Sequence, residues 1–429
     1  MDPHLRLSRR GVLAGLAVLA ARPSLALAAN PDVVVIGAGA AGIGAARKLA
    51  QLGLSCIVVE ADDRIGGRAY TDTTTFAIPF DIGCAWIHAA DRNPFYKFAQ
   101  DDGYKLRFHD LDLTSLYYGR ARADARGLKL EHAAEETIHK NTARIARRRD
   151  VPTSLAVPKW TPPFDAAATY LGPMDMGVDL SDLSTADYAQ SADLDPNYLI
   201  YEGYGTLVAK VGAGIPVKLS TPARTIRYGQ GAGVRVETDA GTIEARAVVV
   251  TVSTGVLAAG SIRFDPELPD WKQSAIGEVP MGLLAKIPML IEGDRFGIKP
   301  YENVLVEYPG MQDIYFLAWP WDSDLMVGFV GGDFGWQLSA AGEDAAIDFA
   351  KQRLAQTFGS EAPKRVSKAL FTKWASNPLT RGAYAAAGPG HFAARATLAR
   401  PLAERVFFAG EATAKAVAAA LAGTRRKAA

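Results

Sequence analysis

Three glycines and one acid are spaced for chemistry in DVVVIGAGAAGIGAARKLAQLGLSCIVVE, residues 32–60. Gly37, Gly39 and Gly42 keep the G-x-G-x-x-G interval, and each glycine has a use. The first permits a tight turn and the second lets a pyrophosphate approach the backbone. The third lets a helix pack close to a strand, with its positive N-terminal end aimed at phosphate. Glu60 falls where a carboxylate can accept hydrogen bonds from both ribose hydroxyls of an adenosine. A glycine-rich strand–helix–strand unit without ligand is the plainer alternative, because alanine- and glycine-rich chains produce the interval by chance. A strand before, a helix after and an acid at this distance favour a dinucleotide site.

The elements that must position these residues are legible nearby. DVVVI is a β-branched run without helical period and reads as a buried parallel strand. From Ala40 the apolar step turns helical through Ile43, Ala46, Arg47 and Ala50, and Gly53 closes the helix. SCIVVE is a second buried strand, and DRIGGR (63–68) then adds a second glycine pair and two arginines. A nicotinamide enzyme has no need of that second pair.

Elsewhere the residues alone are less decisive. Lys286 lies in the apolar, strand-forming run MGLLAKIPMLI and reads as an edge residue reaching water. Trp374 and Tyr384 read as packing aromatics. His88 reads as a satisfied structural histidine, and Cys56 and Cys84 as small core residues with no disulfide. The six histidines show no paired ligand spacing, so no metal site is expected.

Taken together, the motifs resemble the flavin-dependent amine oxidase family of monoamine and polyamine oxidases, L-amino-acid oxidases and flavin histone demethylases. The glycine cradle, Glu60 with Gly66-Gly67-Arg68, DIGCAWIH (81–88), the stretch 216–253, MGLLAKIPML (281–290), Trp374 with RGAY (381–384) and FFAGEAT (407–413) fall in the family's order. The resemblance implies an α/β fold: a Rossmann-like FAD-binding domain beside a substrate domain of mixed β-sheet with helices, related to the glutathione reductase two-domain plan. It implies FAD contacts from Gly37, Gly39, Ala40, Gly42, Glu60, Ala61, Arg64, Gly66, Gly67, Arg68, Gly83, Ala85, Trp86, Ile87, Ala223, Trp374, Gly410 and Glu411. Glu411 is expected to meet the ribityl chain.

The same resemblance implies catalytic roles for Lys286, His88, Tyr384 and Trp374. The family lysine faces flavin N5 through a bound water, positions that water and assists reoxidation or imine hydrolysis. Its pKa is expected to be depressed in an apolar, positively biased pocket. The family tryptophan packs by the isoalloxazine, and the tyrosine forms one wall of the amine pocket. In monoamine oxidases the position of Ala383 is a cysteine bonded to the flavin, so FAD is expected to be non-covalent here. W-I-H-x-x-x-x-N-P (86–94) looks like the polyamine oxidase and histone demethylase branch, where the histidine lines the substrate tunnel. That branch has glycine next, whereas this chain has Ala89.

The implied reaction takes a neutral amine to an imine by hydride transfer to flavin N5, with O2 reduced to H2O2. The substrate is a small-molecule amine, primary or secondary, polyamines included. An L-amino-acid oxidase would need an arginine for the substrate carboxylate, from among Arg107, Arg224 and Arg381. A periplasmic amine dehydrogenase would pass electrons to a carrier protein, and a non-catalytic FAD-binding protein would show no reaction. The segment AKAVAAALAG (414–423) departs from the family: the histidine of its helix start is missing, and Lys415 stands near the second pocket wall, where it would repel a polycation.

Composition sets the remaining bounds. A chain of 429 residues can build two domains. Ser8-Arg9-Arg10-Gly11-Val12-Leu13 resembles a twin-arginine export signal; an apolar run too short to span a membrane and an Ala26-Leu27-Ala28 cleavage site follow. Periplasmic localisation follows from this reading, with an uncleaved membrane tether as the rival and no stable membrane insertion expected. Without residues 1–28, which hold four arginines and one aspartate, 43 basic stand against 45 acidic residues, and nothing points to nucleic acid. A homodimer is compatible with the sequence but not specified by it. The expected organisation is a signal at 1–28, FAD-binding segments at 29–92, 198–261 and 373–429, and substrate-domain segments at 93–197 and 262–372.

Overall fold

In a computed structural model the described residues are 30–414, apart from 77, 191–194, 230, 232 and 309–312. The export-signal reading and the Lys415 segment therefore lie outside the described residues. Strand β1 (Val33–Ile36) is buried along its whole length and pairs in parallel with β2 (Cys56–Val59) on one side. Burial on both faces is what a continuous valine–isoleucine run is for. Between them runs α1 (Ala40–Gln51), entered through Gly39 with no side-chain cap and no acid in its first turn. Its buried face is Gly42, Ile43 and Ala46, whereas Ala50 faces outward. Gly53, at φ +73°, closes the helix.

Three further strands complete an all-parallel sheet: β3 (Val217–Lys218), β4 (Ala247–Val250) and β5 (Val406–Phe408), in the order β3-β2-β1-β4-β5. The stretch 216–253 thus leaves and re-enters this sheet. In between it forms the antiparallel strands Ala223–Arg227, Val234–Thr238 and Gly241–Ala245. Strand Arg263–Asp265 joins that layer beside Thr225–Arg227, so the segment continues past the expected boundary at 261.

The second layer is a seven-stranded mixed sheet. Its strands are, in order, Val366–Ala369, Leu284–Ile291, Leu325–Gly331, Ile314–Ala318, Asn303–Glu307, Ser115–Tyr118 and Ala121–Arg122. Both faces are covered. Leu305, Leu317 and Phe329 pack with helices Ala125–Ala146 and Pro162–Thr169 on one side. Val304, Val306, Ile287 and Met289 pack with helix Glu343–Phe358 on the other. Strand alternation therefore turns Lys286, between Ala285 and Ile287, toward the first face. Among the described residues no helix is long and apolar enough to cross a membrane.

Candidate active site

A cavity of about 600 Å³ opens at the carboxyl ends of β1 and β2, a size that suits a buried cofactor. Gly37 turns the chain at φ +102°. A Cβ on Gly42 would stand 1.9 Å from the Gly37 carbonyl oxygen, so only glycine lets α1 seat against the turn. The second glycine pair has a visible purpose: Gly66 bridges to Gly39, its N–H donates to the Ala38 carbonyl at 2.9 Å, and a Cβ on Gly67 would lie 3.2 Å from the Gly39 Cα. Two glycine loops thus lie back to back beside the α1 N-terminus, whose positive end favours an anion there.

Glu60 is buried at the end of β2. One carboxylate oxygen accepts the Ala38 N–H at 2.6 Å and the other the Asp62 N–H at 2.8 Å. Burial pushes its pKa up, and these N–H bonds oppose the rise. Each oxygen keeps a lone pair for a hydroxyl donor. At the cavity's other end stand Gly410, at φ +147°, and Glu411. Arg68 donates to the Glu411 carboxylate at 2.9 Å and to the Ala383 carbonyl at 2.7 Å, which ties three distant segments together. Volume, helix terminus, glycine cradle and terminal acid fit FAD. Gly37, Gly39, Ala40, Glu60, Ala61, Arg64, Gly66, Gly67, Arg68, Ala223, Gly410 and Glu411 line the cavity that would hold it. Gly42 acts from behind the turn.

A small pocket of about 60 Å³ adjoins, sharing Arg68 and Cys84 with the larger cavity and lined by Gly83, Ala85, Trp86, Phe329, Lys286, Trp374 and Tyr384. Ile87 lines neither: it is fully buried with Ile43, Ile200 and Tyr204. Alternation turns its side chain away from that of Trp86, since neighbours on a short strand face opposite ways.

Lys286 is not an edge residue. Its strand is interior, between Leu325–Gly331 and Val366–Ala369. The ammonium donates to the carbonyls of Asp81 at 2.7 Å and Gly83 at 2.5 Å, and the rings of Phe80, Trp86 and Phe329 lie 5.5 to 6.0 Å away. Burial pushes its pKa down to about 8, against the opposing pull of Asp81 and Cys84. The expected direction holds, but the surroundings are not positively biased: apolar burial is the cause and the nearest carboxyl opposes it.

Trp374 donates its indole N–H to the Ile82 carbonyl at 3.1 Å. Tyr384 pairs with Gly282 across a short antiparallel ladder, and its hydroxyl donates to the Asp175 carbonyl at 3.0 Å. Behind it, the buried Arg395 pairs with Asp187 at 2.6 Å and donates to the Ala385 carbonyl at 2.8 Å, which fixes the strand carrying Tyr384.

The structure brings Lys286, Trp374 and Tyr384 together but sets His88 apart. His88 lines the larger cavity, is held by Asn197 at 2.6 Å and stacks against Trp86 at 6.3 Å. The following Ala89 adopts φ +47°, a conformation glycine takes without steric cost. Among the three arginines named for a carboxylate, none lines the small pocket. Arg224 pairs with Asp239 at 2.7 Å and Arg107 lies 3.9 Å over the Tyr301 ring.

Two carboxyls escaped the sequence reading. Asp81 is buried behind Lys286 and accepts from Thr71 at 2.6 Å and from the Tyr204 and Gly205 N–H groups at 2.9 and 3.1 Å. Its place in DIGCAWIH was the available signal. Asp175 follows the π-helical turn Tyr170–Met174; it is buried with one oxygen lacking a partner, and burial pushes its pKa well up. No local pattern announced it.

The family model described as "Flavin containing amine oxidoreductase" matches residues 40–167 and 185–428. Polyamine oxidase 4 of Oryza sativa subsp. japonica is 28% identical over 425 residues, covering 90% of this chain and 84% of its own length. Lysine-specific histone demethylase 1 homolog 1 of the same plant is 29% identical over 424 residues, 89% of this chain and 50% of that protein. Among solved structures, wild-type putrescine oxidase bound to putrescine superposes with a TM-score of 0.75 at 21% identity, over 91% of this chain and 96% of that one.

Proposed function

The chain belongs to the flavin containing amine oxidoreductase family, and on that premise we propose that it binds an amine in the pocket of Lys286, Trp374 and Tyr384. The protein is an FAD-dependent amine oxidase. The finer reading is oxidation of a primary or secondary amine, with polyamines in the substrate class, to an imine, while O2 becomes H2O2. When bound, FAD supplies the acceptor for the electron pair and proton lost from the α-carbon and passes the electrons on to O2. An imine hydrolyses with one water to a carbonyl compound and an amine.

The single observation that carries this reading is the setting of Lys286. A neutral lysine amine has two N–H donors and one lone pair, and here two carbonyls stand ready for the two donors. The lone pair is then left for a water or for the proton of an incoming ammonium. With its pKa near about 8, the group exchanges protons close to neutrality. Trp86, Phe329, Trp374 and Tyr384 wall the pocket and exclude bulk water, which favours the neutral amine. Ala383 borders the pocket without a nucleophile, which supports non-covalent FAD. The twin-arginine motif supports export to the periplasm.

The test is anaerobic bleaching of the flavin's visible absorbance by a panel of polyamines, monoamines and L-amino acids. Bleaching by an amine class, with colour and peroxide returning on admission of air, is the expected result. Bleaching by L-amino acids alone would overturn the substrate class, and slow recovery in air would move the reading to a dehydrogenase.

A further inference from the structure

A separate cavity of about 490 Å³ lies in the substrate layer, lined among others by Trp160, Asp165, Asp179, Glu307, Tyr308 and Asp313. Glu307 ends strand Asn303–Glu307. Alternation places it on the same sheet face as Leu305, the face to which Lys286 also turns. Its side chain is 4% exposed, and its Oε2 has no hydrogen-bond partner among the described residues. Two of the other acids are held in place. Asp313 accepts from the Thr169 hydroxyl at 2.8 Å and the Tyr308 N–H at 3.2 Å. Asp179 accepts the Asp333 N–H at 2.8 Å.

Burial pushes Glu307 up to about 8, with repulsion from Asp313, Asp165 and Glu131 adding to it, and burial with Asp165 pushes Asp313 up to about 6 against its hydrogen bonds. Burial also raises Asp165 and Asp179. One cation acts on this cluster: Arg353 lies 5.0 Å over the Tyr308 ring and draws Asp313 down. Several acids crowded around one cleft are neutralised either by protons or by a cation that enters.

We propose that this cavity binds a protonated alkylamine, its ammonium on Glu307 and Asp313 and its methylenes along Trp160 and Tyr308. An ammonium offers three donors on a carbon chain, which suits carboxylates beside aromatic faces. A divalent ion needs several oxygens converging on one point. The tight acidic group here is Asp179, Asp182 and Asp333, and Asp179 alone of these lines the cavity. The cavity is linked to the catalytic pocket by one turn. Pro173 of Tyr170–Met174 lines it, and the adjoining Asp175 carbonyl holds the Tyr384 hydroxyl. That the cation is an amine rests on the function proposed above; that the site takes a cation rests on the carboxylates.

The test is anaerobic calorimetric titration of the FAD-loaded protein, its flavin already reduced by dithionite so that no turnover occurs, with butane-1,4-diamine near neutral pH in buffers of different ionisation enthalpy, for wild type, Glu307→Gln and Glu307→Gln with Asp313→Asn. Wild type is expected to show a binding phase that releases protons, as the bound ammonium strips Glu307 of its proton. Both variants are expected to lose at least tenfold in affinity for that phase, and its proton release, while flavin reduction at saturating amine is unchanged. The single variant carries the test if the double variant does not fold. Equal affinity and equal proton release in the variants would overturn the proposal, as would displacement of the diamine phase by equimolar calcium chloride. A diamine phase that depends on Glu307, in a protein whose flavin no amine reduces, would refute the oxidase reading and leave this site standing.

Discussion

Replacing Lys286 with methionine keeps the stem and removes the amine, and its effect on stability has a calculable dependence on pH. The folded-state pKa is lowered from the ordinary 10.5 to about 8. Between those values the unfolded chain holds a proton that the folded chain has released, so wild-type stability rises with pH across that window. At about 1.4 kcal/mol per pH unit, raising the pH from neutral to about 10 favours the wild type by about 3 kcal/mol. The methionine variant has no such gain. It also leaves the Asp81 and Gly83 carbonyls without their donor, a loss of about 1–3 kcal/mol for each buried group. Near neutral pH that loss and the relief from a buried ammonium offset one another, and the two proteins should unfold at similar urea concentrations. At about pH 10 the wild type should be the more stable by about 3 kcal/mol. Urea denaturation of both FAD-loaded proteins at the two pH values, with unchanged m-values, measures this directly. Parallel stability profiles would refute the claim that burial at Asp81 and Gly83 sets the protonation of Lys286.

Two other predictions concern the first residues of the argument. Gly42→Ala places a methyl 1.9 Å from the Gly37 carbonyl oxygen and is expected to cost about 3 kcal/mol and most of the retained flavin. Gly44→Ala on the same helix meets nothing within 4 Å and should stabilise by about 0.5–1 kcal/mol; flavin-to-protein absorbance ratios and urea midpoints of the pair separate steric seating from helix propensity. Changing both Arg9 and Arg10 to lysine should hold the protein in the cytoplasm on cell fractionation, and an unchanged periplasmic fraction would refute the export reading.

The dinucleotide cradle was legible before any coordinates because its logic is local. Gly37, Gly39, Gly42 and Glu60 lie within one strand–helix–strand unit, where close backbone approach and helix polarity act over a few residues. The mixed sheet of the second layer was expected as a class only through the family resemblance. Its order was not, because pairings such as Asn303–Glu307 with Ser115–Tyr118 join segments nearly two hundred residues apart, about which local pattern is silent.

Lys286 marks the division most clearly. Its sequence surroundings permit an edge strand with the amine in water as readily as an interior one. The choice was made by Leu325–Gly331 and Val366–Ala369 closing on either side, and by Asp81 and Gly83 presenting two carbonyls from far up the chain. No local pattern marks Asp175, Glu307 or Asp313 either. The sequence by itself determined where backbone must come close to a phosphate and the strand–helix–strand unit that brings it there. Tertiary structure decided which charged groups lose their water, because desolvation depends on everything that packs around a group and not on its neighbours along the chain.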